Sequence, residues 1–385
     1  MGPLEVGRAN GAGTVRGRVV LGSSLIDAVV TFVDGRVVEV VPSGADAPEL
    51  LVVPGLVDIH CHGAEGHGFD SPNPSTWRAV RAAHRRRGTT TMLPTLATGP
   101  PEAMSAALAT GRRLIAERPS GIPGLHLEGP FLASEFRGAH AADMIRPRVP
   151  TPLPDPVADM AGIRMVTFAP ELPGADELLA ACVAAGVTAS AGHTAANPED
   201  LARALDAGLN HVAHLWSGHS RLVQDGPVRR PGFLEAVLAS DTPTVEAIVD
   251  GRHVTAELAR IAYRCLGPDR LCLVSDASPG AGLPDGARFA LAGAAAVVQG
   301  GVAWTDDGTA YCGSTSFLAD VLRFAVLGAG LPLVDAVRMA TTTPARAVGL
   351  TSGVGEIFEG GPATFLVLRP DLTVAGVVED GERVV

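Results

Sequence analysis

The sequence contains no lysine, so all 30 of its basic residues are arginine, against 41 acidic residues and a formal net charge of −11. This excess of negative charge argues against a nucleic-acid partner, because phosphate backbones are held by clustered Lys and Arg side chains. An anionic ligand would therefore have to bind at a local basic site. The missing lysine also excludes any chemistry that depends on a lysine amine.

Long apolar runs are missing as well, since none reaches the roughly 18 residues of a membrane-spanning helix. No charged segment followed by an apolar stretch opens the chain, so we expect no membrane association and a cytoplasmic location. The cysteines are few and contain no CxxC pair, which disfavours a disulfide framework or a zinc knuckle. We expect reduced thiols at all five positions, namely Cys61, Cys182, Cys265, Cys272 and Cys312.

The middle of the 385-residue chain alternates short apolar runs with helical stretches rich in Ala, Arg and Leu. Repeated β-then-α units of this kind predict a parallel (β/α)8 barrel, which takes roughly 250 residues. The eight predicted strands cover residues 56–60, 89–94, 124–128, 165–170, 188–192, 211–215, 245–250 and 271–276.

Both ends of the chain look different, with alternating apolar residues and hairpin signals at Asp34-Gly35 and Asp380-Gly381. Neither end has enough strands to bury a face alone. We therefore predict a small β-sandwich domain built from residues 1–53 and 348–385, with the barrel over residues 54–347.

Histidines and carboxylates stand at the ends of five predicted barrel strands. A strand places residues i and i+2 on one face, so two histidines one residue apart can both point into the barrel mouth. Imidazole and carboxylate are ligands for divalent zinc, iron, cobalt and manganese. The sequence thus predicts a metal site at His60, His62, Glu128, His193, His214 and Asp276. The five histidines without such a position are interpreted as structural or surface residues: His67, His84, His126, His211 and His219.

This arrangement resembles the amidohydrolase superfamily, in which many members bridge two metals with a carbamylated lysine. A carbamylated lysine is excluded here because the chain has no lysine. Glu128 is the natural replacement for it as a metal ligand. The runs HLEGPF at 126–131 and RGAH at 137–140 are similar to one family in particular, the N-acetylglucosamine-6-phosphate deacetylases. The resemblance implies one or two divalent ions, with zinc favoured over iron, cobalt and manganese. The main ion would bind Glu128, His193 and His214, and a second would bind His60 and His62.

The resemblance also implies roles around the substrate. Asp276 would move the proton as general base and acid, and His140, beside Ala139, would contact the acetyl carbonyl oxygen. Arg229 and His253 stand where the family binds phosphate, with the arginine reaching across a homodimer interface. Ser217 and Gly218 replace the Asn-Ala pair that is usual in the family, which puts the substrate contacts there in question.

The function implied is deacetylation of N-acetylglucosamine 6-phosphate to glucosamine 6-phosphate and acetate. One alternative keeps the chemistry but takes another N-acetylhexosamine phosphate or a different N-acyl substrate. A second alternative is a catalytically silent metal-binding scaffold. Asp276 disfavours the scaffold, because a scaffold needs no group to move a proton.

Overall fold

The structure, a computed structural model, describes residues 4–6, 12–44, 49–117, 121–351 and 353–385. Strands and helices are numbered along the chain. The two ends of the chain together form one eight-stranded sheet. Its strands are β1 (Leu4–Val6), β2 (Gly13–Leu21), β3 (Ser24–Val33), β4 (Arg36–Pro42), β5 (Leu51–Pro54), β21 (Phe365–Leu368), β22 (Val374–Glu379) and β23 (Glu382–Arg383).

This sheet is curled, not flat. Its order is β23-β22-β21-β5-β2-β3-β4, with β1 beside β2, so two strands separate β3 from β21. In a flat sheet they would lie about 14 Å apart, at about 4.8 Å per strand. Yet the rings of Phe32 on β3 and Phe365 on β21 have centroids 5.4 Å apart. The sheet therefore encloses its own apolar core, and the predicted β-sandwich from both termini is confirmed, whereas its exact boundaries stay a prediction.

Both predicted hairpin turns are present. Asp34 and Gly35 have φ of 51° and 76°, and Asp380 and Gly381 have 51° and 80°, which suits the two-residue turn that joins twisted strands. The two turns also touch. A Cβ on Gly35 would lie 2.8 Å from the carbonyl oxygen of Asp380, so glycine is required there for space as well as for conformation.

The centre of the chain is a ring of eight parallel strands, each overlapping one of the predicted runs. Backbone bonds from Asp276 N to His60 O (2.9 Å) and from His62 N to Ala277 O (2.8 Å) join the first strand to the end of the last. The predicted barrel is thereby confirmed. Its strands are β6 (Leu56–Cys61), β9 (Thr89–Leu96), β10 (Leu125–Glu128), β11 (Ile163–Phe168), β12 (Thr188–Ala191), β13 (His211–Val212), β16 (Thr244–Ala247) and β17 (Leu271–Leu273).

Helices cover most of the outside of the barrel. Two begin at Asn-Pro pairs, where the side chain of Asn73 or Asn197 accepts a backbone N–H of the first turn and proline suits the first helical position. The helices are α1 (Pro74–Arg86), α2 (Pro101–Ala116), α3 (Ala175–Ala185), α4 (Pro198–Asp206), α5 (Phe233–Ala239), α6 (Ala256–Leu266), α7 (Leu318–Arg323), α8 (Leu333–Met339) and α9 (Thr342–Ala347). Within the described residues, no helix has the length and apolarity to cross a membrane.

Several elements were not predicted from the sequence. Between β10 and β11 the helix is replaced by a 3₁₀ turn (Ser134–Phe136) and a long loop, and a π-helical turn (Phe324–Gly328) continues α7. The additional strands are β7 (Gly63–Ala64), β8 (His67–Gly68), β14 (Val223–Asp225), β15 (Val228–Arg230), β18 (Arg288–Leu291), β19 (Ala294–Gln299) and β20 (Val302–Thr305). The last three form a small antiparallel sheet that follows β17.

Candidate metal centre and active site

Glu128, the last residue of β10, lies at the centre of a ring of imidazoles at the barrel mouth. Its Oε1 is 2.9 Å from Nε2 of His214 and 3.1 Å from Nε2 of His193. Its Oε2 is 3.3 Å from Nε2 of His62 and 3.4 Å from Nε2 of His140. Carboxyl ends of parallel strands meet on one face of a barrel, and this geometry brings the side chains together from distant parts of the chain.

A second carboxylate, Asp276, completes the group from the end of β17. Its Oδ1 is 3.2 Å from Nε2 of His62 and 3.6 Å from Nε2 of His60. The structure therefore gathers all six predicted metal-binding side chains. At this centre, three sets of three have ligand atoms within 4.8 Å of one another and could hold an ion: His60, His62 and Asp276; His60, Glu128 and His214; and Glu128, His140 and His193.

Hydrogen bonds on their far nitrogens orient the rings of His193 and His62. Nδ1 of His193 lies 2.8 Å from the carbonyl oxygen of Phe136, and Nδ1 of His62 lies 3.2 Å from that of Thr95. A carbonyl oxygen only accepts, so Nδ1 carries a proton, and in the neutral ring the Nε2 lone pair faces the centre. This is the arrangement in which proteins present histidine to a metal ion.

Two of these residues have an unusual backbone. His193 and Asp276 have φ of 48° and 46°, in the left-handed region that few residues other than glycine adopt, although Asn, Asp and His do so more often than most. Gly218, with φ of 74°, packs so closely that an added Cβ would lie 2.8 Å from Nδ1 of His193. Left-handed positions of residues other than glycine cluster at functional sites, and these two carry side chains of the centre.

The ionisable side chains at the centre shift one another's pKa values. Burial raises the pKa of Glu128, but the surrounding imidazoles, first among them His60, together outweigh burial and hold that pKa well below its usual range. Burial lowers the pKa of His62, yet hydrogen bonds to Asp276 and Glu128 raise it to about 9. The pKa of Asp276 is lowered, against burial, by its hydrogen bond to His62. Buried carboxylates at this site are thus ionised and favour positive charge beside them.

The residues present fit a divalent cation. Nε2 of His60 is fully buried and has no hydrogen-bond partner among the described residues, although it lies 3.5 Å from Oε1 of Glu128. A buried polar atom without a partner is costly, and an ion at the centre would satisfy it. Imidazole nitrogens and carboxylate oxygens together suit zinc, iron, cobalt or manganese.

A cavity of about 240 Å³ opens directly above the centre, and Glu128, His193 and Asp276 form part of its wall. All but one of the other predicted substrate-binding residues line it too, namely Ala139, His140, Ser217, Gly218 and His253. Nδ1 of His253 lies 2.8 Å from Oδ2 of Asp250.

Arg229 is the exception. It lies on the exposed β14–β15 hairpin, where its Nη1 donates to the carbonyl oxygen of Pro227 at 2.8 Å. Among the described residues that line the cavity, Arg229 is absent. Leu222, Val223 and Val228 on or beside the same hairpin are 49%, 60% and 47% exposed. Within one chain, therefore, Arg229 does not form part of the cavity wall.

Two important residues escaped the sequence analysis. Tyr311, which lines the cavity and contacts the ring of His253 at 4.9 Å between centroids, lies in an irregular loop with no local signal. Glu246 is fully buried on β16, with Oε2 at 2.8 Å from Nδ1 of His60. A glutamate inside the apolar run Val245-Glu246-Ala247-Ile248-Val249 was the one signal that could have found it.

Comparison with known proteins gives consistent results. Residues 51–384 match the model of the amidohydrolase family. The chain is 34% identical over 332 residues to N-acetylgalactosamine-6-phosphate deacetylase of Shewanella sp. (strain ANA-3), covering 86% of this chain and 82% of that protein. It is 29% identical to human N-acetylglucosamine-6-phosphate deacetylase, covering 95% and 90%. A Mycobacterium smegmatis N-acetyl-D-glucosamine-6-phosphate deacetylase mutant in complex with N-acetyl-D-glucosamine-6-phosphate superimposes with a TM-score of 0.88, 34% identity, and coverage of 97% and 99%.

Proposed function

Because the chain belongs to the amidohydrolase family, we propose that it is a metal-dependent deacetylase that converts N-acetylglucosamine 6-phosphate to glucosamine 6-phosphate and acetate. The observation that carries this proposal is the convergence of four imidazoles and Asp276 around Glu128, in the wall of a cavity. Curated relatives named as deacetylases of phosphorylated amino sugars match most of the chain and support the substrate class.

Glu128, His193 and His214 would hold the main ion, and His60 and His62 would hold a second, with Oδ1 of Asp276 beside both rings. A bound divalent ion lowers the pKa of water from about 15.7 toward roughly 7 and polarises a carbonyl oxygen. The metal is proposed to be zinc, with iron, cobalt and manganese as alternatives that the same ligands accept.

Asp276 is the proposed general base and acid. Its carboxylate is ionised, since its pKa is lowered, and its side chain keeps 11% exposure on the cavity side of the centre. It would take the proton of the attacking water and deliver it to the nitrogen of the leaving amine. One group serves both steps because the proton it accepts in the first is the proton it donates in the second.

His140, beside Ala139, is proposed to donate a hydrogen bond to the acetyl carbonyl oxygen as negative charge develops there. Its Nε2 already points at the centre, 3.4 Å from Oε2 of Glu128. Burial lowers the pKa of His140, so the ring is a neutral donor at the start of the reaction. The tetrahedral oxyanion then gains a stronger bond than the substrate carbonyl, which is what accelerates the step.

The sugar phosphate is proposed to bind His253. With its Nδ1 bonded to Asp250, this ring presents Nε2 to the cavity. Arg229 would supply the second contact from the other subunit of a homodimer, and the exposed apolar side chains of its hairpin support burial of that hairpin against a partner. A guanidinium suits bidentate binding of phosphate.

N-acetylgalactosamine 6-phosphate is the main alternative substrate, since relatives of both names match the chain. The two sugars differ only in the orientation of the C4 hydroxyl. Ser217 and Gly218 line the cavity. Their hydrogen-bonding groups differ from those that an Asn-Ala pair would provide. A different N-acyl compound is the second alternative substrate for the same chemistry.

The test is acetate release by the purified, zinc-loaded protein from the two phosphorylated sugars and from unphosphorylated N-acetylglucosamine. We expect the highest kcat/KM on N-acetylglucosamine 6-phosphate. A preference for the galactose isomer would select the alternative, and no acetate from any of the three would favour a metal-binding scaffold. A cytoplasmic location stays a prediction from the sequence.

A further inference from the structure

Beneath the metal centre lies a carboxylate that no role above includes. Glu246 points from β16 into the barrel and is fully buried. Its Oε2 is 2.8 Å from Nδ1 of His60 and accepts the backbone N–H of His214 at 3.1 Å, while its Oε1 is 3.1 Å from Nε2 of His211. An ionised carboxylate is costly to bury unless donors surround it, and here three N–H groups do so.

The hydrogen bonds continue away from the cavity. Nδ1 of His211 is 2.6 Å from Oγ1 of Thr244, whose hydroxyl lies 3.2 Å from the carbonyl oxygen of Asn210. Thr244 and Glu246 share one face of β16 because they are two residues apart. We call this set, His60, Glu246, His211 and Thr244, the buried column. It links a metal ligand to the opposite end of the barrel.

The column determines how His60 faces the centre. Ionised Glu246 can only accept hydrogen bonds, so Nδ1 of His60 must carry the proton. The lone pair of a neutral His60 is then on Nε2, which is buried between Oε1 of Glu128 at 3.5 Å and Oδ1 of Asp276 at 3.6 Å. Without Glu246, the proton could move to Nε2, and His60 would no longer be a ligand.

Glu246 also contributes charge. The set of His60, His62 and Asp276 contains only one carboxylate, and the chain has no lysine from which an anionic carbamate bridge could be made. The negative charge of Glu246, passed through the ring of His60, strengthens that imidazole as a donor to a cation. Such outer carboxylates typically change metal affinity by about 10- to 100-fold.

We propose that Glu246 is a positioning residue that makes His60 a metal ligand, and that the buried column thereby decides whether the chain binds a second ion. The proposed ion on Glu128, His193 and His214 uses no imidazole that bonds to Glu246, which contacts His214 through its backbone N–H alone. A glutamine can still accept that N–H, so this ion should be retained in Glu246→Gln. This inference rests on the proposed metal centre but not on the identity of the substrate.

The test compares the wild type with Glu246→Gln, which keeps the size of the side chain and removes its charge. Zinc bound per chain is measured by mass spectrometry after dialysis against a series of buffered free-zinc concentrations. We expect two ions in the wild type, and in Glu246→Gln one unchanged ion and a second whose dissociation constant rises about 10- to 100-fold. Anomalous scattering from zinc-loaded crystals should weaken at His60 and His62 and persist at Glu128.

Glu379→Gln is the matched control, because Glu379 pairs with Arg81 and Arg85 far from the centre. This variant should bind zinc as the wild type does.

Glu246→Asp and His211→Gln serve if Glu246→Gln does not fold. Both should weaken the second ion selectively, and unchanged zinc binding in both would overturn the proposal. It is also overturned if folded Glu246→Gln keeps both ions at wild-type affinity, if it loses both equally, or if the wild type binds one ion only. Absence of acetate release by the wild type would refute the deacetylase assignment and leave the zinc result standing.

Discussion

Replacing Asp276 by asparagine tests the mechanism most directly. The amide has the size of the carboxylate and can keep its oxygen near Nε2 of His62, which lies 3.2 Å from Oδ1 in the wild type. It cannot accept a proton from water at neutral pH. Apart from Asp276, the one carboxylate among the described residues that line the cavity is Glu128, a proposed metal ligand, so no free carboxylate there can take over that function.

The expected loss follows from the role. General acid–base catalysis contributes roughly 10²–10⁴-fold, so kcat of Asp276→Asn should fall by that factor, equivalent to about 3–5 kcal/mol of transition-state stabilisation. KM should change little, because Asp276 acts on the water and the amine and does not hold the sugar phosphate. The main ion should also stay, since its proposed ligands Glu128, His193 and His214 are intact.

The assay is steady-state acetate release from N-acetylglucosamine 6-phosphate, with zinc content and the thermal unfolding midpoint measured on the same sample. Asp335→Asn is the control, because it makes the same chemical change on α8, where Asp335 accepts the hydroxyl of Tyr263 at 2.5 Å. It should keep wild-type turnover. Near wild-type turnover in a folded, zinc-loaded Asp276→Asn protein would refute the assigned role.

Three further changes test other parts of the structure. Arg229→Ala should lower kcat/KM for the phosphorylated sugar roughly ten- to a hundred-fold, the value of one charge-assisted hydrogen bond, without changing the slow rate on N-acetylglucosamine. Mixing it with Asp276→Asn should restore activity in hybrid dimers, and inactive hybrids would place Arg229 outside the partner's site. Gly218→Ala should destabilise the fold to urea by about 1–2 kcal/mol because of its left-handed backbone, and should weaken zinc binding through the clash with His193; unchanged zinc affinity would contradict this. Phe365→Ala should cost about 3–5 kcal/mol in urea unfolding, and a loss below about 1 kcal/mol would mean that the sandwich core is not closed.

The architecture was largely predictable from local patterns. Strand alternation and the Asp34-Gly35 and Asp380-Gly381 turns are signals within a few residues, and both turns have the expected left-handed geometry. The β18–β20 sheet was missed because its strands are short, alanine-rich and partly exposed. Such a segment has little of the periodicity on which sequence-based prediction depends.

The candidate site was also predictable only in part. His60 and His62, Glu128, His193, His214 and Asp276 were found because each closes an apolar run. In a parallel barrel, the ends of such runs must meet at one face. The position of Arg229 on an exposed hairpin was not predictable, since a hairpin tip has no burial pattern that fixes its direction.

The sequence by itself determined the order of barrel strands, the side chains at their ends and, through the absence of lysine, the kind of bridging ligand that is possible. These follow from backbone periodicity and side-chain chemistry, which are local properties. Only the tertiary structure decided which groups hydrogen-bond to the far side of each proposed metal ligand. Glu246 is 186 residues from His60 along the chain, and it reaches Nδ1 of that histidine because closure of the barrel brings β16 within reach of β6. Contacts of this kind depend on how the whole ring closes, so no local pattern encodes them.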